Sequence, residues 1–187
     1  MPGTKGNRRT LYTKKIIKES LIELLQTNDI HQITVTSICN KANINRGTFY
    51  SYYKDPFDLL QSIEDDLFDQ IISYLNDTPT KDYTDSLLIK VLELISENKD
   101  LCNILLCKQK DGIIDRIIDI TNKANLRNLF YKSNEFNDSH FDYLIRYSVS
   151  GILAIIQVWL RNNLKESPKE IVKIINNINK LNYTSFK

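Results

Sequence analysis

Apolar residues recur at three- and four-residue spacing along nearly the whole chain, and no segment keeps the strict alternation that a half-buried strand requires. This pattern restricts the fold class to all-α. In residues 10 to 26, Ile16, Ile17, Leu21, Leu24 and Leu25 line one helix face and leave Lys14, Lys15, Lys18 and Glu19 toward water. Thr34 is placed to cap a short helix over residues 35 to 42, with Ile38, Cys39 and Ala42 facing inward. Asn43 and Ile44 make a tight turn, and Asn45 caps a second short helix from residue 46 to about residue 53. Asp55-Pro56 ends it, because proline pushes the residue before it out of the helical region. The same pair opens the next helix, with Asp55 as cap, Pro56 at the first position and Asp58 in the first turn, continuing to about residue 75.

The run NDTPTKDYTD interrupts the pattern with turn formers. Beyond it the periodicity predicts helices over residues 83–98, 100–108, 111–130, 139–163 and 168–180. The last opens on Ser167-Pro168-Lys169-Glu170, a capping box with proline at its first position.

Charge is distributed unevenly. Residues 1–54 carry nine Lys or Arg against three acids, a net of +6, which leaves −4 for the remainder of a chain whose total is +2. A cationic module of this size suits a polyanion, since each neutralised phosphate releases condensed counterions. With 42% apolar residues, 5 Gly and 4 Pro among 187, the chain has enough apolar surface for a sizeable core, which excludes collagen-like, low-complexity and disordered classes. Cys39, Cys102 and Cys107 are odd in number and form no CxxC pair, so a reducing, cytoplasmic setting is expected. No segment reads as long enough to cross a bilayer, and no membrane partner is expected. His31 and His140 stand apart from other ligand types, so neither metal nor cofactor is expected. No nucleophile-plus-base pair, paired carboxylates or glycine-rich phosphate loop occurs, so no catalytic residue and no enzyme is predicted.

Two short helices joined by a tight turn, behind a longer amphipathic helix and inside the basic third of the chain, meet the requirements of a helix-turn-helix. The segment ITVTSICNKANINRGTFYSYYKDPFDLL resembles the N-terminal signature of the TetR family of bacterial transcription regulators, over about residues 10–60. Apart from that resemblance, Arg46 at the start of the second short helix suits a guanine edge, which a guanidinium meets with two parallel bonds. Thr48 suits a thymine methyl or a phosphate; Tyr50, Ser51, Tyr52 and Lys54 offer phosphate donors. Thr36 and Ser37 lie at the positive end of the bracing helix. Gly47, costly inside a helix by about 1 kcal/mol, points to a close approach by DNA or by the bracing helix. Phe49 and Tyr53 read as packing residues. The resemblance implies DNA contacts from Thr36, Asn45, Arg46, Gly47, Thr48, Tyr50, Tyr52 and Lys54. It also shows departures: Pro56 stands where the family often has Lys, Tyr52 where His is frequent, and Tyr53 where Phe is usual.

The expected organisation is a flexible basic arm at 1–9, a DNA-binding domain at 10–55, and a helical regulatory and dimerisation domain at 56–187. Two reading helices must lie about 34 Å apart on one face of the duplex, so a homodimer is expected. Ser148, Gly151, Ile152, Ile155 and Trp159, with Ile171, Ile174, Ile175 and Ile178 on the last helix, are the predicted dimer residues. The stretch SGILAIIQVWLRNNLKESPKEI is similar to a TetR branch of low-GC Gram-positive bacteria that includes regulators of dihydroxyacetone-kinase operons. The resemblance further implies a small-molecule effector in the middle bundle, for which Phe68, Tyr74, Leu92, Leu105, Leu106, Ile117, Phe130, Tyr143, Tyr147 and Trp159 are the candidate lining; nearly all are equally suited to solid core. The resulting expectation is a repressor on double-stranded DNA, bound to a near-palindrome and released by an effector. An activator or co-activator of the same family, or a helical adaptor for an acidic protein, are the alternatives.

Overall fold

The computed structural model describes residues 4–77, 85–108, 112–123 and 138–184. Among these residues the chain is helical, with no strand. In chain order, α1 is Thr4–Thr27, followed by a single 3₁₀ turn at Ile30–Gln32; α2 is Val35–Ala42, α3 Arg46–Tyr50 and α4 Pro56–Asp77. Then come α5 Asp85–Glu97, α6 Lys99–Asn103 running into a π turn at Ile104–Lys108, α7 Ile113–Lys123, α8 Asp138–Arg161 and α9 Pro168–Thr184. The chain divides into two compact units, residues 1–69 and 70–187.

In the first unit, Ile17, Leu21 and Leu25 of α1 are buried, as are Ile38, Cys39 and Ala42 of α2, Phe49 and Tyr53, and Leu59, Leu60 and Ile63 of α4. Each of these helices shows one face to the core at the spacing its sequence dictates. Phe49 and Tyr53 therefore pack inward, as expected, with ring centroids 5.9 Å apart. Ion pairs between Lys41 and Glu23 (2.6 Å) and between Lys18 and Asp66 tie α1 to α2 and α4 at the surface, where such pairs contribute little on their own.

In the first unit two boundaries differ from expectation, and in the second α9 runs on to Thr184 rather than ending at residue 180. Helix α1 begins at Thr4 rather than Thr10, so residues 4–9, expected as part of a flexible arm, continue the helix. Apolar periodicity begins only at Leu11, so it carries no signal for the polar turns before it. Helix α3 stops at Tyr50 and not near residue 53: the backbone N–H groups of Tyr52 and Tyr53 both donate to the Phe49 carbonyl, at 2.9 and 3.0 Å, which tightens the last turn.

In the second unit the core is formed by Leu87, Leu92, Leu94 and Ile95 of α5, Leu101 and Cys102 of α6, the π-turn residues Ile104 to Leu106, one face of α8 and one face of α9. The π turn had no signal in the sequence; the Gln157 side-chain amide donates to the Leu106 carbonyl at 2.7 Å, giving that irregular backbone a partner and explaining a Gln in an apolar helix. Asn163 and Leu164 adopt left-handed conformations after α8, with Leu164 N–H donating to the Trp159 carbonyl at 2.9 Å. The Trp159 indole donates to the Glu166 carbonyl at 2.7 Å, and the Ser167–Glu170 capping box then starts α9 as expected, with Ser167 N–H to the Glu170 carboxylate at 2.8 Å. That bond, with one from the Ser167 hydroxyl, holds the Glu170 carboxyl below its ordinary value.

By length and hydropathy, residues Asp142–Arg161 of α8 are apolar enough to cross a bilayer, contrary to the expectation that no segment is. The reason is that both faces of this helix are apolar: Ile145, Val149, Leu153, Ile156, Trp159 and Leu160 are buried, while Ala154 and Val158 are exposed.

Candidate nucleic-acid interface

Two capped helix starts build this site. The Thr34 side chain accepts from Ser37 N–H at 3.1 Å, and the Ser37 hydroxyl accepts from Thr34 N–H at 3.1 Å, a reciprocal box that fixes the first turn of α2. At α3, the Asn45 side-chain oxygen accepts from Thr48 N–H at 2.7 Å and from the Thr48 hydroxyl at 3.0 Å. Between them Asn43 takes a left-handed conformation, φ 51°, which asparagine tolerates better than most residues. The bond from Ile44 N–H to the Cys39 carbonyl, 3.0 Å, completes the turn.

Every residue expected to meet DNA is exposed or half-exposed. Thr36, Asn45, Arg46, Gly47, Tyr50, Ser51 and Lys54 are exposed, and Ser37, Thr48 and Tyr52 are partly so. Arg46 is anchored: its guanidinium Nη2 donates to the Thr36 hydroxyl at 2.7 Å, joining the first residue of α3 to the first turn of α2. Tyr50 stands 58% exposed beside the buried Phe49 ring. Lys54 has its backbone N–H held by the Asp58 carboxylate at 2.8 Å and an exposed side chain. Asp55 caps α4 by accepting from Asp58 N–H at 2.9 Å, as expected.

Local bonds revise several of the expected roles. The Ser37 hydroxyl donates to the Thr34 carbonyl at 2.7 Å, and the Ser51 hydroxyl to the Gly47 carbonyl at 2.8 Å, so both spend their donor inside the protein rather than offering it to phosphate. Thr48 also spends its O–H, on Asn45, which leaves its methyl as the group to meet a base. A Cβ added at Gly47 meets only the Asn45 side-chain oxygen, at 3.3 Å, and not the bracing helix, so packing against that helix does not require the glycine. Sequence reasoning missed Lys14 of α1, whose ammonium lies 5.7 Å from the Tyr52 ring centroid. Burial raises the pKa of the Cys39 thiol against the opposing charge of Arg46, consistent with a packing role.

In the second unit the predicted dimer residues separate into two groups. Trp159, Ile171 and Ile175 are buried in their own chain and are corrected to intrachain core; the outward face carries Gly151, Ile174 and Ile178, with Ser148, Ile152 and Ile155 half-buried. Ala154 and Val158, absent from the expectation, lie on the same outward face, three and seven residues beyond Gly151, a spacing that would have identified them. A groove of about 340 Å³ runs there, lined by Ala154, Ile155, Val158, Trp159, Asn162, Glu166, Ile171 and Ile174.

Of the expected effector-lining residues, Trp159 alone borders that groove. Phe68, Leu92 and Leu105 are buried, and Tyr74 and Ile117 are half-buried. Tyr143 and Tyr147 are corrected: at 77% and 65% exposure they lie on the outside of α8, because they share a face with Gly151 and not with Ile145 and Val149. Phe130 lies outside the described residues, as does the side chain of His140, whereas His31 is exposed and 5.2 Å from the Phe57 ring. Among the described residues no group of three metal-ligating side chains occurs. Burial pushes the Cys102 thiol up to about 12.

The transcriptional regulator C-terminal region TetR_C_8 matches residues 82–180, just over half of the chain. The HTH-type dhaKLM operon transcriptional activator DhaS of Lactococcus lactis subsp. lactis (strain IL1403) is 26% identical over 179 residues, covering 90% of this chain and 91% of that protein. The HTH-type transcriptional regulator YxbF of Bacillus subtilis (strain 168) is 39% identical over 51 residues, 27% of this chain and 13% of its own length. In fold, a TetR transcriptional regulator from Streptococcus agalactiae 2603V superposes with a TM-score of 0.70 at 24% identity, over 92% of this chain and 96% of that one. These relatives are regulators and not enzymes, which agrees with the reading of the sequence and favours a regulator over a protein-binding adaptor. The chain belongs to the TetR family and is a DNA-binding transcription regulator of helix-turn-helix type.

Proposed function

We propose that the chain acts as a homodimer on a near-palindromic operator, each copy laying α3 in the major groove. The observation that carries this is the convergence of two capped helix starts on one exposed guanidinium, Arg46, held by Thr36 at 2.7 Å. An immobilised fork loses less rotamer entropy on meeting a guanine edge than a free one. Tyr50 and Lys54 supply phosphate contacts, Asn45 offers its side-chain nitrogen, and the Thr48 methyl meets a base. Tyr52, with Lys14 beside it, is a further backbone contact. Arg46→Ala should cost about 1–3 kcal/mol of specific affinity and erase preference at one operator position, read by salt-matched titration against the four base variants. Unchanged affinity and preference would remove Arg46 from the reading role.

The outward face of α8 and α9 is the proposed dimer surface: Gly151, Ala154, Val158, Ile174 and Ile178, extended by Tyr143 and Tyr147. Gly151 supports this reading. Among the described residues a Cβ there meets nothing within 4 Å, so no contact among them offsets the roughly 1 kcal/mol that a mid-helix glycine costs, whereas a second helix can approach closely over it.

A small-molecule effector in the second unit, biasing the dimer between DNA-competent and incompetent states, is the regulatory device proposed. Repression follows if the operator overlaps the promoter. A second reading, activation, is favoured by one observation: the relative aligned over 179 residues is named an operon activator. A reporter in a deletion strain separates the two, rising under repression and falling under activation.

A further inference from the structure

We propose that Thr36 is a specificity-determining positioning residue, setting the base preference of Arg46 rather than serving only as a phosphate contact. The inference deepens the operator-reading function and rests on it. Both partners sit at capped helix starts. Thr36 is in the first turn of α2, fixed by the Thr34–Ser37 box; Arg46 opens α3, fixed by the Asn45 cap. Their side chains meet at 2.7 Å although ten residues apart, so the bond also clamps the angle between the bracing and reading helices.

The donor count permits both tasks. A guanidinium has five N–H groups in a rigid fork, and the bond to Thr36 uses one on Nη2, leaving four, among them a parallel pair for a guanine edge. Thr36 accepts in this bond, so its hydroxyl keeps its own hydrogen for a phosphate oxygen. One hydroxyl then couples the contact that sets register to the contact that reads sequence, and removing it affects both.

The test compares full-length wild type with Thr36→Val, Thr36→Ser and Arg46→Ala on duplexes carrying each of the four bases at every operator position, at fixed salt. Thr36→Val keeps shape and removes the acceptor. The expected result is a drop in preference of about fivefold at the position that Arg46→Ala also flattens, with other positions unchanged; Thr36→Ser restores it. Equal weakening on all sequences, with that preference intact, would reduce Thr36 to a backbone contact and overturn the proposal. If Arg46→Ala flattens no position, operator reading through Arg46 fails first and this inference with it. If Thr36→Ser behaves like Thr36→Val, the hydroxyl is not the cause and the proposal is likewise overturned.

Discussion

The two units of this chain use opposite chemistry at their surfaces. Around α2 and α3 the first exposes polar side chains, several of them tied by short local bonds such as Arg46 to Thr36 and Thr48 to Asn45, with only Tyr50 as a large exposed aromatic among them. The second exposes apolar side chains, Val158, Ile174 and Ile178 among them, on helices whose opposite faces are buried. A surface of the first kind suits a polyanion whose register it must fix; one of the second kind suits a partner that covers it. In the proposed account, polar recognition is written as capping geometry and association as the apolar area that α8 and α9 leave exposed.

The contrast breaks most visibly at adjacent residues of α8. Trp159→Ala removes a buried ring and its bond to the Glu166 carbonyl, and should cost about 3–5 kcal/mol of stability, measured by urea unfolding. Val158→Asp, one residue away and 54% exposed, should leave helicity by circular dichroism intact while raising the dimer dissociation constant by about a hundredfold or more, measured by sedimentation. A dimer that survives Val158→Asp would place association elsewhere. On the reading side effects are smaller: Asn45→Ala removes the cap of α3 and should cost about 1 kcal/mol in thermal unfolding, with a larger loss of operator affinity than of stability. Equal losses would mean that the cap serves the fold alone.

These differences also explain what was legible beforehand. The helix-turn-helix could be read because its signals are local: Thr34 three residues before Ser37, Asn45 three before Thr48, Asp55 before Pro56, and each produced the bond its spacing implies. The shortened end of α3 was not legible, since the choice between continuing and tightening lies in which carbonyl accepts, and Phe49 accepts twice. In α8 the class of helix was plain but its phase was not. With Ile152, Leu153, Ile155, Ile156, Val158 and Trp159 all apolar, periodicity cannot separate the face that packs inside from the face left exposed, so by sequence alone Trp159 reads as interface and Tyr143 as cavity lining. Hydroxyl roles were likewise hidden: whether Ser37 and Ser51 point their donors at phosphate or at their own backbone depends on geometry within a single turn.

The most direct test of the paired-reader claim is a hydroxyl-radical footprint of the upstream DNA of this gene, run with wild type and with Val158→Asp at matched salt. Two symmetric protections about 10 base pairs or a multiple of that apart, contracting to weak or absent protection in Val158→Asp, are the result expected. A single unpaired protection, or a wild-type footprint that Val158→Asp leaves unchanged, would contradict the account.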